Sequence, residues 1–327
     1  VGCYAYNDEL TNFNKILAAY NVSFKTGVVA ENDSSKYYQN PLYLLPTVET
    51  TDYTSDATDG YVFLAGSCAI SYPEDTDDVT YTKLLSTSDS AVLKKDWKNI
   101  TTSKAEDSDE NGPFTTGLAV NDSSTGASIV VFGTPYVVDD SYDNAVSGNN
   151  ADMFKDVISS MTGNVELASS VIPVKDYTLS NITINTLQAV ITGLIIMIAV
   201  PILLIIIESK NRSKVIDYND IYEYDSSSYY YGYQSQSSIT GYDAEGQITS
   251  AIEYVTMDAD ELPVIYQITG HNETEIGSNF QSVVSKANAN LKSLELFNEE
   301  KVPEDATAII INSPTVDFNE EDAQKVI

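Results

Sequence analysis

The stretch AVITGLIIMIAVPILLIII, from Ala189 to Ile207, decides how the rest of this 327-residue chain is interpreted. It contains no charged side chain and almost no polar one. As a helix rising 1.5 Å per residue it would extend about 28 Å, close to the roughly 30 Å hydrocarbon thickness of a bilayer. Pro201 is compatible with such a helix, because neighbouring groups in membrane helices re-satisfy the carbonyl that proline frees. We therefore predict a transmembrane helix here, with a buried core helix of a large α/β domain as the alternative.

The charges on the two sides of this run give conflicting indications of topology. Lys210, Arg212 and Lys214 follow the run closely, and an excess of cations marks a cytoplasmic flank. However, residues 1–188 hold 26 acidic and 10 basic residues and residues 208–327 hold 22 and 7, for net charges of −16 and −15. This equal acidity favours a shared extracytoplasmic location, in which the cationic cluster is an accident of the junction.

The overall composition argues against nucleic-acid binding and against a fold that depends on disulfide bonds. The formal net charge of −31 repels phosphate groups, so nucleic-acid binding is not expected. Two cysteines, Cys3 and Cys68, could form one disulfide, but we favour two small buried side chains. Twenty-three tyrosines and abundant Ser, Thr, Asn and Asp are typical of an extracytoplasmic surface. The chain begins with Val1 and without a signal peptide, which we interpret as a fragment, a processed form or a rearranged chain.

Hydrophobic periodicity on both sides of the run predicts alternating strands and helices, and hence α/β architecture. Helices are predicted over residues 12–20, 149–161, 244–254 and 276–289, with another beginning at 319. Strands are predicted over residues 27–30, 60–70, 117–120, 127–133, 214–224, 263–270, 294–297 and 308–311. The β-branched segment 127–133 ends in glycine, as central parallel strands often do. Asn149 or Asn150 is expected to cap the helix that follows.

Two short motifs have partial matches to sites of catalytic or metal chemistry. Residues 107–112, DSDENG, match the start of an EF-hand loop, but Leu118 stands at the position that requires a bidentate glutamate. An ordinary acidic turn is favoured. Residues 66–70, GSCAI, are weakly similar to a nucleophile elbow, and a Cys68–His271 pair would be needed to use it. No phosphate-binding glycine motif is present, so we predict no enzyme activity, no cofactor and no metal.

A turn containing Gly270, His271 and Glu273 follows the predicted strand 263–270. His271 is the single histidine of the chain, and one histidine without further ligands does not make a zinc site. We identify these three residues as a possible interaction or ligand turn. The alternative is a solvated helix N-terminus in which acidic residues are favourable.

The segment LPVIYQITGHNE, residues 262–273, resembles the strand and T-G-H-G-E signature of the GldG-type family of ABC-transporter auxiliary components, named for a gliding-motility protein. Residues 242–252 and 302–323, and residues 127–133 and 149–154 of the first half, also resemble that family. Two departures stand out. Asn272 replaces the usual glycine, and the part resembling residues 208–327 precedes the part resembling residues 1–188 in the family.

This resemblance implies two extracytoplasmic α/β portions with flavodoxin-like or glutamine-amidotransferase-like sheets, residues 1–186 and 208–327, and a transmembrane helix at residues 187–207. The second portion would be truncated at its end, and the chain a permuted or composite version of the family arrangement. It further implies a non-catalytic auxiliary subunit at the cell membrane, whose partners are an ABC permease and an ATP-binding subunit. The alternatives are a cell-surface module binding carbohydrate through Tyr229–Tyr233 or a cation at Asp107–Asn111, and a hydrolase using Cys68 or His271.

Overall fold

The computed structural model describes residues 10–162, 172–173, 205–209, 212–217, 221–224, 239–257 and 262–327. These residues form two compact units. Unit 1 consists of Val1–Val165, Pro263–Ser285 and Ala289–Ile327, and unit 2 of Glu166–Leu262 and Lys286–Asn288. Segments from both sides of the apolar run therefore belong to unit 1, whereas the sequence placed them in separate portions.

The helices and strands of the described residues have the following bounds. The helices are α1 (Thr11–Ala19), α2 (Asp140–Ala145), α3 (Asn149–Met161), α4 (Ala244–Thr256), α5 (Ser278–Lys286) and α6 (Glu320–Val326). The strands before the apolar run are β1 (Ser23–Phe24), β2 (Val28–Ala30), β3 (Tyr43–Leu44), β4 (Thr47–Val48), β5 (Leu64–Ala65), β6 (Ile70–Ser71), β7 (Val79–Ser86), β8 (Val92–Lys94), β9 (Glu110–Asn111), β10 (Thr115–Asp122) and β11 (Ala127–Phe132). The later strands are β12 (Ile172–Pro173), β13 (Ile205–Glu208), β14 (Ser213–Ile216), β15 (Tyr222–Tyr224), β16 (Ile239–Tyr242), β17 (Val264–Thr269), β18 (Asn290–Glu295) and β19 (Ala308–Ile310).

Unit 1 contains an antiparallel sheet and a smaller parallel one. The antiparallel sheet has the order β1-β6-β10-β7-β4, and β11 also pairs with β10. The parallel sheet has the order β18-β17-β19, with α5 connecting β17 to β18. Two parallel strands need a long connection that returns the chain to the same end of the sheet, and a tight turn is too short to provide it. The predicted mixture of helices and sheets is thereby confirmed.

One hydrophobic core unites the early and late segments of unit 1. The buried members before the apolar run are Leu10, Phe13, Ile16, Leu17, Val22, Ile70, Tyr81, Leu118, Val120, Ile129 and Val131. Those after it are Val264, Tyr266, Ile268, Leu294, Leu296, Ile311, Phe318 and Ala323. The rings of Phe13 and Phe318 stack with centroids 6.1 Å apart, and Phe154 meets Phe280 edge to face at 5.4 Å. Each set of segments thus covers apolar surface that the other would leave in water.

Unit 2 has a small core of its own, formed by Ile216, Ile221, Ala244 and Ala251. Strands β13 and β14 form an antiparallel hairpin, and Ile206 lies opposite Val215. The strand β16 pairs with β12 and β15.

The predicted transmembrane helix lies almost wholly outside the described residues. Its last three residues, 205–207, belong instead to strand β13, where they pair with β14. Three consecutive β-branched isoleucines favour this extended conformation. Among the residues that the structure describes, no helix combines the length and apolar character needed to cross a bilayer.

Several predicted elements differ from those observed. The segment 127–133 forms an antiparallel strand, because the turn between β10 and β11 is too short for a parallel crossover. The single strand predicted over residues 60–70 is two strands interrupted at Gly66, whose φ is 56°. The strand predicted over 214–224 is likewise divided into β14 and β15. The long segment 225–238, predicted as an exposed Tyr/Ser loop, lies outside the described residues.

The predicted cap of helix α3 is also wrong. The N-cap is Gly148, with φ 90°, and neither Asn149 nor Asn150 caps the helix. The side chain of Asn149 donates instead to the carbonyls of Ala57 and Tyr61. Asn150 pairs with both the N–H and the carbonyl of Phe63. Binding distant backbone groups therefore takes precedence over local capping at these two positions.

Candidate functional site

A cleft of about 180 Å³ lies in unit 1 beyond the carboxyl ends of the parallel strands β17 and β19. Ligands of sheets with parallel strands commonly bind outside the carboxyl ends of those strands. The lining residues are Pro135, Tyr136, Val138, Asp139, Asp140, Ser141, Thr274, Glu275, Gly277 and Asn312. They come from the turn that precedes α2 and the first residues of α2, from the loop after β17 and from the loop after β19.

The carboxylate of Asp140 holds the two walls of the cleft together. One oxygen accepts hydrogen bonds from the N–H and hydroxyl of Ser278 at 2.8 and 2.6 Å, and the other accepts from the N–H of Asn279 at 3.0 Å. The two N–H groups are backbone donors that the first turn of α5 cannot pair within the helix, so the Asp140 carboxylate caps the N-terminus of α5 from a distant part of the chain. Gly277 permits this approach, because a Cβ there would lie 2.1 Å from the Oδ1 atom of Asp140.

A second aspartate behind this wall joins two helix N-termini. Asp143 accepts from the N–H of Ala151 in α3 at 2.9 Å and from the side-chain amide of Asn279 in α5 at 2.7 Å. Burial raises the pKa of Asp143 above its ordinary value, although the hydrogen bonds from Asn279 and Ala151 oppose the shift. Helix α2 is therefore fixed to α5 by two separate carboxylates.

Three of the residues that line the cleft, Asp139, Asp140 and Glu275, carry carboxylates. Asp139 uses one oxygen to cap α2 through the N–H of Ser141 at 2.8 Å. Glu275 is exposed, and its carboxylate pairs with no residue in the described part of the chain. Asn312 is only 3% exposed, and its side-chain nitrogen donates to the carbonyl of Thr274 at 3.0 Å. No lysine or arginine lines the cleft.

The turn predicted from the sequence lies immediately before Thr274. The structure brings His271 and Glu273 together: Nδ1 of His271 lies 3.1 Å from one oxygen of Glu273, and the backbone N–H of His271 donates to the other at 2.8 Å. Gly270 allows the chain to turn here with φ 110°. The side chain of His271 is 9% exposed and its imidazole stacks on Phe318 with ring centroids 3.8 Å apart.

Asp322, which the sequence did not single out, completes a charged cluster around His271. Its carboxylate lies 3.8 Å from Nε2 of His271 and accepts from Lys325 at 2.9 Å. Hydrogen bonding to Asp322 raises the pKa of Lys325. The carbonyl of His271 accepts from the N–H groups of Thr315 and Val316. The cluster therefore connects the loop after β17 with the loop after β19 and with α6.

The other candidate residues have partners of their own in the structure. Cys68 is buried and its Sγ donates to the carbonyl of Gly133 at 3.1 Å, whereas both imidazole nitrogens of His271 face carboxylates. The second cysteine, Cys3, lies outside the described residues. In the acidic turn, Asp109 forms a buried ion pair with Lys94 at 2.5 Å. The described residues contain no cluster of metal-ligating side chains.

Sequence reasoning did not identify Asp139, Asp140 or Asn312. A usable signal was present, because Asn312 directly follows a predicted strand and the loops after parallel strands meet at one edge of a sheet. The contribution of Asp139 and Asp140 had no such signal, since they follow an antiparallel strand. Comparison with known proteins found no matching protein family, no similar curated protein and no similar solved structure.

Proposed function

We propose that this chain is a non-catalytic, membrane-anchored auxiliary subunit of an ABC transporter of the GldG type. It would act by contacting a permease and an ATP-binding subunit, with both portions of unit 1 outside the cytoplasm. The single observation that supports this most is the core shared by residues 10–162 and 263–327. In the resembled family the two corresponding parts lie together on one side of the membrane, which a shared core requires.

The shared core also constrains how the chain meets the membrane. A single crossing by residues 189–207 would place the two sets of segments on opposite sides, and the contacts between Phe13 and Phe318 and between Phe154 and Phe280 could not form. We therefore propose that the apolar run attaches unit 1 to the membrane without dividing it. The parallel strands β17, β18 and β19, with α5, are compatible with the flavodoxin-like or glutamine-amidotransferase-like sheet that the family resemblance implies.

Co-purification tests the proposed partners. The full chain, tagged and expressed in its own organism, is solubilised in mild detergent and captured, and the bound proteins are identified by mass spectrometry. We expect one ABC permease and one ATP-binding subunit in near-equal amounts. The variant Phe318→Asp, which places a charge in the shared core, should recover neither, whereas the surface variant Asp107→Asn should recover both. Failure to recover either subunit with the wild-type chain would contradict the proposal.

Labelling with a membrane-impermeant thiol reagent tests the proposed sidedness. In a background with Cys3 and Cys68 replaced by serine or alanine, single cysteines are introduced by Asp107→Cys and Glu300→Cys, both at exposed positions. We expect both to be labelled in intact cells, because both belong to unit 1. Labelling of one position and not of the other would contradict the proposed arrangement.

A further inference from the structure

The lysine that ends strand β8 is enclosed together with an aspartate that directly precedes strand β9. The two strands pair antiparallel, with Val92 opposite Asn111. The side chains of Lys94 and Asp109 are each 2% exposed, and Nζ of Lys94 lies 2.5 Å from Oδ2 of Asp109. A primary amine and a carboxyl group are therefore held in contact at neighbouring strand ends, with little access for bulk water.

A second carboxylate contacts the same amine. Oε2 of Glu106 lies 2.6 Å from Nζ of Lys94, and the side chain of Glu106 is 55% exposed. The carbonyl of Lys104 accepts a further hydrogen bond from Nζ at 2.9 Å. The amine is thus oriented by a backbone carbonyl and lies between one carboxyl group that is shielded from water and one that is open to it.

Backbone N–H groups hold both oxygens of the Asp109 carboxyl group. Oδ1 accepts from the N–H of Lys95 at 3.1 Å, and Oδ2 accepts from the N–H of Glu106 at 2.9 Å. Fixed donors of this kind stabilise the negative charge that develops on a carboxyl oxygen when a nucleophile attacks the carbon. The Asp109 carboxyl group is therefore both oriented and polarised beside the amine.

Burial and hydrogen bonding act in opposite directions on the charges of this pair. Burial by itself lowers the pKa of Lys94 and raises that of Asp109, but the hydrogen bonds that they receive leave the pKa of Lys94 raised and that of Asp109 lowered. The ion pair is therefore the resting form, and the neutral amine and acid are the minor one. A covalent bond between the two groups would remove both buried charges, each of which is costly to keep out of water.

We propose that Lys94 and Asp109 join in an intramolecular isopeptide bond, with Glu106 as the catalytic acid and base. Nζ of Lys94 bonds to Cγ of Asp109, and Oδ2 leaves as water. An ammonium group and a carboxylate together contain the atoms and charges of one amide and one water, so no further reactant is needed. The bond closes residues 94–109 into a covalent loop. It does not depend on the membrane-associated role proposed above.

The protons move among the three side chains. One proton passes from Nζ to Oδ2 across the ion pair, which leaves a neutral amine beside a neutral carboxylic acid. Attack of Nζ on Cγ gives a tetrahedral adduct, and the N–H of Lys95 stabilises the negative charge on Oδ1. Glu106 takes a second proton from the nitrogen and delivers it to the Oδ2 hydroxyl, which departs as water and leaves Glu106 ionised again. The contact between the groups makes the reaction effectively unimolecular.

Intact-mass spectrometry of the purified full chain tests the bond. The wild-type chain, sampled over several days at neutral pH, should have a mass lower than its sequence mass by that of one water molecule. Lys94→Arg keeps a cation but lacks the amine nucleophile, and Asp109→Ala lacks the carboxyl group, so both should keep the full mass. Asp109→Asn should instead lose one ammonia molecule, because its amide nitrogen becomes the leaving group.

Tryptic digestion locates the bond. Trypsin cannot cleave after a lysine whose amine is acylated, so the linked product consists of residues 84–95 joined to residues 105–155. Fragment spectra of this product should place the junction at Lys94 and Asp109. Loss of water at any other position would appear within a single peptide.

Two variants of neighbouring acids separate catalysis from a general effect of charge. Glu106→Gln keeps the size of an exposed side chain but cannot relay the proton, so the bond should form at least tenfold more slowly, since general acid–base catalysis contributes about 10²–10⁴-fold. This variant holds the chain in the ion-pair form. Asp107→Asn alters an adjacent exposed acid and should form the bond as the wild type does. Thermal melts check that both variants remain folded.

Three results would overturn the proposal. The first is a wild-type chain that retains its full sequence mass throughout the incubation. The second is a loss of water that maps to residues other than Lys94 and Asp109. The third is bond formation in Glu106→Gln at the rate of the wild type, which would remove Glu106 from the reaction.

Discussion

One carboxylate oxygen of Asp140 accepts both the backbone N–H and the hydroxyl of Ser278, a residue 138 positions further along the chain. A reciprocal contact joins the same two sets of segments elsewhere in unit 1. Asp317 accepts from the N–H groups of Asn12 and Phe13 at 3.0 to 3.1 Å, so it stabilises the start of α1. Each set of segments therefore supplies an acidic cap to a helix of the other set. The N-termini of α1 and α5 are capped in this way only when both sets have come together in the shared core.

Removing the cap of α5 should lower the stability of the whole unit. Asp140→Ala leaves three donors of Ser278 and Asn279 without their acceptor, and we expect a loss of about 1–2 kcal/mol in the free energy of unfolding. Asp140→Asn retains an acceptor and should lose less. Gly277→Ala should resemble Asp140→Ala, because its Cβ would lie 2.1 Å from the Asp140 oxygen. Urea unfolding followed by circular dichroism measures all three, and equal stability of Asp140→Ala and wild type would contradict the capping role.

A matching prediction concerns Asp317, which caps the start of α1. Asp317→Ala should cost about 1–2 kcal/mol by the same mechanism, and Asp317→Asn should cost less. Because the two caps lie at different helices, the effects of Asp140→Ala and Asp317→Ala should add to within about 0.5 kcal/mol in the double variant. Chemical unfolding of the single and double variants measures this, and a double variant no less stable than either single one would refute it.

The ion pair between Lys94 and Asp109 should be costly to break from one side. Both side chains are 2% exposed. Burial by itself raises the pKa of Asp109, but hydrogen bonds from Lys94 and two backbone N–H groups outweigh it and leave that pKa below its ordinary value. Lys94→Met would strand a buried carboxylate, and we expect a loss of about 3–5 kcal/mol in unfolding free energy.

The double variant Lys94→Met with Asp109→Leu provides the control, because it removes both charges and should recover most of the loss. Since the folded-state pKa of Asp109 is lowered, its contribution is present at neutral pH and should disappear as the pH falls below about 4. Thermal unfolding from pH 7 to pH 3 measures this. Equal acid sensitivity of the double variant and the wild type would contradict it.

Acidic residues of α3 should instead make the unit more stable at mildly acidic pH. The pKa of Asp152 is raised to about 6, mainly by burial and further by repulsion from Asp56, Asp143 and Asp156, although Lys155 opposes the shift. A carboxyl with a raised folded-state pKa binds its proton more tightly in the folded state. Stability should therefore rise as the pH falls from about 7 towards 5, and should be lost again as the pH rises through 6.

Asp152→Asn should remove that part of the pH dependence. Because the Asp152 side chain is exposed at the surface, solvent screening limits the gain at pH 7.5 to about 1 kcal/mol or less. Melting temperatures of the variant, the wild type and the control Asp107→Asn should be compared at pH 5, 6 and 7.5. A profile for Asp152→Asn as steep as that of the control would show that Asp152 does not cause the effect.

The shared core predicts that neither half of the chain folds fully without the other. Residues 1–188 expressed alone would expose Phe13 and Phe154, and residues 208–327 alone would expose their partners Phe318 and Phe280. We expect neither fragment to give the sharp thermal transition and near-ultraviolet circular dichroism of the full chain. Two fragments that each unfold cooperatively at the temperature of the intact chain would contradict the single core.

Local sequence patterns predicted the elements that depend on neighbouring residues. The helix Asn149–Met161 has the predicted bounds, and the strands β17 and β19 lie where β-branched runs predicted them. These patterns are reliable because the 3.6-residue and two-residue periods reflect which face of a single element is buried. They also predicted that the turn of His271 and Glu273 follows a strand, as observed.

Local sequence patterns could not predict which strands pair or whether they pair in parallel or antiparallel fashion. The segment 127–133 has the composition of a central parallel strand, yet a hairpin makes it antiparallel, because strand direction depends on the connection and not on composition. The run of isoleucines at 205–207 suits a membrane helix or a strand equally well, and pairing with β14 selects the strand.

The sequence by itself determined that the chain is acidic, mixes helices with sheets and carries a long apolar run between two portions of nearly equal net charge. Those properties follow from composition and local periodicity. Only the tertiary structure decided that segments from both sides of the run share one core, that Asp140 and Asp317 cap helices more than one hundred residues away, and that Asp139, Glu275 and Asn312 meet in one cleft. Contacts between residues so far apart leave no periodic signal, because each depends on how whole elements pack and not on the residues beside it.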